Sequence, residues 1–224
     1  MDLIKSQDYF NPLDVKGRCH IIGCGSVGST LAELLARLGI TNISLYDFDT
    51  VSPHNLANQM FVNSDIKRLK VDAVKDLICA INPDIEQSVK TYSEGYTENT
   101  VLSGYVFLCV DNIDLRREIV SKNKFNPQIK AMFDFRTRLE DMQCYAANWS
   151  NPAMIENLLK SMDFTHEEAH EATPVTACNV EMSVAPTIRI GCSYGIANFM
   201  NFIKGLPLKK IILIDAFNFQ VDSY

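Results

Sequence analysis

The 224-residue chain is 47% hydrophobic and 21% charged, which excludes disorder and suits one compact domain or one with a small annexed lobe. Its 21 Lys+Arg against 27 Asp+Glu leave a net charge of -6, arguing against an extended nucleic-acid or acidic-membrane surface. No apolar run approaches the roughly 20 residues of a membrane helix, and Met1 to Phe10 lacks the apolar stretch of a secretory signal. A cytoplasmic protein that binds neither nucleic acid nor membrane is therefore expected. The seven cysteines form an odd set without a C-x-x-C pair, as suits a reducing compartment, and no structural zinc is expected.

In chain order, the apolar run Cys19 to Ile22 enters Gly23-Cys24-Gly25-Ser26-Val27-Gly28, after which Val27, Leu31, Leu34, Leu35 and Leu38 recur at helical spacing. This reads as strand, glycine turn and helix, with Glu33 and Arg37 on the solvated side and Gly39 as the C-terminal cap. A second strand is predicted over Thr41 to Asp49, a helix over Ile66 to Ile81 closed by Asn82-Pro83, and a strand buried on both faces over Tyr105 to Val110. A helix over Leu115 to Lys124 and a strand over Lys130 to Phe135 continue a βαβαβ rhythm, which right-handed crossovers would stack as a parallel sheet. Beyond Arg136 the rhythm changes. Gln143 to Trp149 and Ile211 to Phe219 read as strands added antiparallel, with helices over Ala153 to Met162 and Ile188 to Ile203. The polar stretch Asp163 to Thr176 reads as a surface loop or short helix.

Within the loop, two glycines let the backbone turn tightly and approach a phosphate, and the third permits close helix packing. The helix N-terminus adds free N–H donors and a partial positive charge. Asp47 lies about 20 residues on, where a carboxylate can accept hydrogen bonds from ribose hydroxyls. These features do not distinguish NAD from ATP. A second pattern, His166-Glu167-Glu168-Ala169-His170, matches the H-E-x-x-H of zinc peptidases, but its short, acidic surroundings favour a solvated helix face.

Downstream stand Tyr46-Asp47-Phe48-Asp49-Thr50-Val51-Ser52-Pro53-His54-Asn55-Leu56-Ala57-Asn58-Gln59, then Lys70-Val71-Asp72-Ala73, Ile81-Asn82-Pro83 and Cys109-Val110-Asp111-Asn112. In order and spacing this series resembles the ThiF/MoeB/HesA family of adenylyltransferases, relatives of ubiquitin-activating enzymes. The similarity extends through Cys178 to Pro186 and Ile211 to Phe217. The resemblance implies an α/β, Rossmann-like fold with a mixed, mainly parallel sheet flanked by helices. It spans 1–224 as one domain, with 1–136 the ATP-binding half and 137–224 a carrier-binding half containing antiparallel strands. It also implies adenylation, from ATP and with Mg2+, of the C-terminal carboxylate of a ubiquitin-like or sulfur-carrier protein or peptide, by a homodimer.

Carried over residue by residue, the resemblance assigns Gly23, Gly25, Ser26 and Gly28 to the phosphates and Asp47 to the ribose. Asn55 goes to the phosphate region, Lys70 to neutralising phosphate charge and Asp111 to the magnesium ion, with Asp49, Asn58 and Asn112 alongside. Each has a plainer competitor: Lys70 as a solvated helix lysine, Asp111 or Asn112 as a helix cap, Asp49 as support for the turn, Asn55 as an Asx-turn. Cys178 occupies a region where part of the family carries a thioester-forming cysteine. The chain also departs from the family. Asn58 stands where an arginine is common, and Met1 to Gly17 contains no arginine, so Arg68, Arg116, Arg136 and Arg138 are the candidates to compensate. Two other readings remain at this point: an NAD-dependent oxidoreductase and a catalytically silent nucleotide-binding scaffold.

Overall fold

The computed structural model describes residues 1–171, 175 and 182–224. Its strands form a mixed, mainly parallel sheet in the order β3-β2-β1-β4-β5-β6-β7-β8. The parallel part comprises β1 (Cys19–Ile22), β2 (Ile43–Tyr46), β3 (Lys90–Tyr92), β4 (Gly104–Leu108) and β5 (Ile129–Thr137). Antiparallel pairing then adds β6 (Asp141–Asn148), β7 (Ile211–Asp215) and β8 (Gln220–Ser223).

Helices cover both faces, so β1, β2 and β4 are buried at every position instead of alternating. On one face α1 (Ser26–Arg37), α2 (Lys70–Ile81) and α6 (Ala185–Ile203) pack Leu31, Leu35, Ile78, Cys192 and Phe199 onto Ile21, Phe107 and Phe133. The Phe107 ring stacks on Phe133 at 5.2 Å and meets Phe199 edge-on at 5.5 Å. On the other face α3 (Ile113–Asn123) and α4 (Pro152–Lys160) press Ile119, Val120, Ile155 and Leu158 onto Ile22, Val106 and Leu108. A short helix, α5 (His166–Glu171), follows α4. Since α1 leaves the adjacent strand β1 on one face and α3 leaves β4 on the other, a crevice opens at their carboxyl ends, where open α/β sheets bind ligands.

Three predicted elements differ, each through a contact distant in sequence or a side chain turning the main chain. Helix α2 begins at Lys70 instead of Ile66, because the preceding segment pairs with the chain after β2: Lys67 N–H donates to Val51 O at 2.8 Å and Thr50 bridges Leu69. Lys67 itself sits at φ 72, outside any helix. The second strand stops at Tyr46, where the Asp47 carboxylate accepts from the Cys24 and Asp49 N–H groups and bends the chain. The last strand is a hairpin. Asp215 Oδ1 accepts from Asn218 N–H at 2.9 Å, Phe219 adopts φ 57, and β8 returns along β7.

Two buried polar groups tie the layers together. His20, 3% exposed on β1, places Nδ1 2.9 Å from the Tyr46 hydroxyl, and Tyr46 stacks on Tyr92 at 4.4 Å. Asp134 on β5 is fully buried between Arg116 of α3 and Arg136 of its own strand. Arg116 also donates to Phe135 O at 2.8 Å and to Val110 O, fastening the end of β4. Arg136 donates to Ser161 O at 2.6 Å and lies 4.3 Å over the Tyr145 ring.

Burial, reinforced by the Arg18 charge, pushes the His20 pKa down to about 4. Above about pH 6.5 the ring is neutral in both folded and unfolded chains and costs nothing. Between about 6.5 and 4 only the unfolded chain takes up the proton, so stability falls with pH across that window, by roughly 3 kcal/mol in total. Urea titrations at pH 7 and pH 4.5 should show this loss, and His20→Gln should flatten it. Asp134→Ala leaves the buried Arg116 and the half-buried Arg136 without their carboxylate and should lower the unfolding free energy by about 3–5 kcal/mol. The fluorescence of Trp149, the one tryptophan, reports unfolding from a buried site where Nε1 donates to Asn123 O at 2.9 Å.

Candidate active site

The glycine loop is shaped by contacts that exclude side chains. Gly23, at φ 94, lies so close to the end of β4 that a Cβ would come within 2.9 Å of Cys109 O and Val110 N. A Cβ on Gly28 would lie 1.8 Å from Gly23 O. These two glycines bring the end of β1, the start of α1 and the end of β4 together. Gly25, by contrast, has no atom within 4 Å of where its Cβ would stand, and it occupies the N-cap of α1 with no side-chain cap. The first N–H groups of α1 are thereby left to face the crevice, as an anion site requires.

Asp47 closes the loop from the β2 side, its carboxylate accepting from Cys24 N–H at 2.6 Å and Asp49 N–H at 2.8 Å. Burial pushes its pKa up, against the lowering effect of those two donors and of Lys70. Lys70 is no solvated lysine. At the first position of α2 and 8% exposed, it bonds Asp49 Oδ2 at 2.8 Å, and its own N–H donates to Asp49 O at 2.9 Å. Asp49 is therefore more than a turn residue, and the pair sets one cation beside the crevice.

At the end of β4, the helix-cap role falls to Asn112, whose Oδ1 accepts from Leu115 N–H at 2.9 Å. This separates the two neighbours: Asn112 is committed to α3, while Asp111 stays exposed and has no hydrogen bond or ion pair among the described residues. Asn55 makes a capping box instead of an Asx-turn, its Oδ1 accepting from the N–H of Ser52, three residues earlier, at 2.8 Å. Asn58 bonds Ser183, just ahead of α6. Cys178 lies outside the described residues.

Three of the four arginines considered as compensating cations are committed internally. Arg116 and Arg136 share Asp134, and Arg68 pairs with Asp65 at 2.9 Å and with Asp76. Arg138 is exposed on the turn between β5 and β6, its main-chain N–H donating to Asp141 O. The H-E-x-x-H pattern falls on the six-residue α5, where Glu168 and Thr165 cap each other at 2.7 and 3.1 Å. Among the described residues no group of three His, Cys, Asp or Glu could hold a metal.

Three residues near the site have no role assigned by the sequence pattern. Phe48 is 70% exposed between Asp47 and Asp49, with Gly95 beneath its edge. Gln59 buries an Oε1 without a partner among the described residues. Arg189, on α6, reaches Met60. A large aromatic between two acids was a visible signal; the other two are brought near the loop only by folding. Two hollows elsewhere, about 280 Å3 between the far ends of α1 and α6 and about 220 Å3 beside α4 and β7, lie away from the glycine loop. No helix among the described residues is long and apolar enough to cross a membrane.

The ThiF family model matches residues 15–223. Ubiquitin-like modifier-activating enzyme 5 of Arabidopsis thaliana is 32% identical over 118 residues, covering 44% of this chain and 27% of the relative. The Caenorhabditis elegans enzyme of the same name is 26% identical over 145 residues, covering 61% and 32%. The chain thus spans about a third or less of the length of these curated relatives. Among solved structures, E. coli MccB with ATP superposes with a TM-score of 0.71 at 19% identity, covering 95% of this chain and 65% of that one. PaaA superposes at 0.69 and 18%, with the same coverage. At those identities the structures speak for the fold, while the family match spans nearly the whole chain: the protein belongs to the ThiF family.

Proposed function

We propose that this chain activates the C-terminal carboxylate of a ubiquitin-like or sulfur-carrier protein or peptide as an acyl adenylate, using ATP and releasing pyrophosphate. The observation that carries this reading is the meeting, at one crevice, of an uncapped helix N-terminus, the buried Lys70 and Asp111, which has no partner among the described residues. The relatives' names support the substrate class: modifier-activating enzymes, and MccB solved with ATP and with MccA.

The reaction joins two anions. A carboxylate oxygen attacks the α-phosphorus, a new P–O bond forms, and the bond to the β-phosphate breaks, its electron pair leaving on pyrophosphate. The glycine loop and the first N–H groups of α1 hold the phosphates in place, so these donors need no reorganisation as charge shifts to the leaving group. Lys70 lowers the repulsion from one side. Asp47 holds the ribose, and the exposed Phe48 offers an apolar face for the base. Asp111 suits magnesium, which commonly binds one or two carboxylates together with substrate phosphates. When bound, that ion offsets phosphate charge and polarises the reacting phosphoryl group. The turns after β5 and β7 open on the same edge of the sheet, so residues 137–224 present the carrier tail to the crevice and align it for attack.

A thioester step, if the carrier is passed on, falls to Cys178. Burial pushes the other six thiols above their ordinary range, Cys19 to about 12, which makes them poor nucleophiles.

ATP–pyrophosphate exchange stimulated by a carrier ending in a free tail tests the reading. Asp111→Ala should lose magnesium-dependent ATP binding and lower exchange by at least about 100-fold. Unchanged affinity would remove Asp111 from the site, and binding of NADH but not ATP would replace adenylation by hydride transfer. Cys178→Ala should keep exchange intact while abolishing any thioester seen on non-reducing gels; a thioester that persists would place the nucleophile elsewhere.

A further inference from the structure

The position held here by Asn58 leaves the phosphate end of the crevice with few cations, and the structure shows where another stands. Helix α6 begins at the carboxyl edge of the sheet, since Thr187 Oγ1 donates to Leu139 O at 2.9 Å in the turn after β5. It then runs alongside α1, which starts at the same edge. Cys192 Sγ lies 3.8 Å from Val27 O, setting the two helices level at the first turn of α1. Arg189 is three residues earlier, about 4.5 Å nearer the edge at the helical rise. Its backbone is therefore level with Gly25 and the uncapped N-terminus of α1.

The side chain lies against the segment that follows Asn58. The Arg189 guanidinium reaches Met60, and Met60 N–H donates to Ser29 Oγ in the first turn of α1 at 3.2 Å. Met60 is two residues from Asn58, whose amide bonds Ser183 ahead of α6. Arg189 is half-buried, and among the described residues no carboxylate pairs with it. A thioether is a weak acceptor and satisfies little of a guanidinium's five-donor fork. Arg68, Arg116 and Arg136, in contrast, all have carboxylate partners.

We propose that Arg189 binds the β- and γ-phosphates of the nucleotide, supplying from α6 of the same chain the positive charge that Asn58 lacks. This rests on the nucleotide reading above. The guanidinium exchanges the Met60 sulfur for phosphate oxygens, a bidentate, charge-assisted contact that Lys70, across the loop, does not duplicate. Because the contact is to the outer phosphates, it acts on ATP and leaves AMP untouched.

Isothermal titration of the full chain with ATP and with AMP, both with magnesium, tests this. Arg189→Ala should weaken ATP about tenfold or more while AMP affinity stays within about twofold, and Arg189→Lys should recover part of the loss. Arg189→Gln, which keeps most of the stem, serves if the alanine variant does not fold. An ATP-to-AMP affinity ratio equal to the wild type's overturns the proposal, as does a parallel loss of both nucleotides, which marks Arg189 as a packing residue. A wild-type chain that binds neither nucleotide overturns the nucleotide reading itself; one that binds ATP, with Arg189→Ala unchanged, overturns only the role of Arg189.

Discussion

A close backbone approach at the glycine loop organises the candidate site. At Gly23 and Gly28, a strand end, a helix start and a second strand end share a space with no room for a Cβ, since Gly23 meets the Cys109 main chain and Gly28 meets Gly23 O. Everything at the crevice follows from that junction. It holds the first turn of α1 against the end of β4, and so brings Asp111 to the same mouth as the uncapped helix N-terminus. The donors are main-chain groups, already oriented by the fold and carrying no side-chain freedom to lose on binding.

Around this junction the protein arranges its charges in two ways. Deep in the sheet, Asp134 is enclosed by Arg116 and Arg136, and Arg116 reaches Val110 O beside the glycine loop. This pairing neutralises charge internally and steadies the strand end that carries Asp111. At the crevice the charges are left partly unmatched. Lys70 is buried but its partner Asp49 remains exposed, and Asp111 projects without a partner among the described residues. Incomplete pairing at a water-accessible mouth is where a charged ligand has most to add, because the groups it meets are held in place yet unsatisfied.

The sheet's other half departs from a doubly wound pattern. After β5 the strands turn antiparallel, so the connections after β5 and β7 both open on the edge that carries the glycine loop, and α6 starts there too. The small residues of α6 allow it to lie close to the sheet: a Cβ on Gly195 would meet the Phe135 ring, and one on Gly191 the Met142 side chain. That close packing sets the height at which α6 runs beside α1, and hence which of its residues reach the crevice.

What was legible in the residues was whatever repeats locally or is set by spacing. Continuous apolar runs announced the doubly covered strands β1 and β4, and the helical recurrence from Val27 to Leu38 announced α1 behind its glycine turn. The spacing of Asp47, Lys70 and Asp111 announced the family. Contacts between distant segments decided the rest. The pairing of 50–51 with 67–69 shortened α2, and the competition between Asp111 and Asn112 for the cap was resolved only by the start of α3. The fates of the arginines were likewise invisible in one dimension, because a guanidinium's partners are chosen by which strands and helices pack together. Periodicity is a property of the chain; the pairing of charges is a property of the fold.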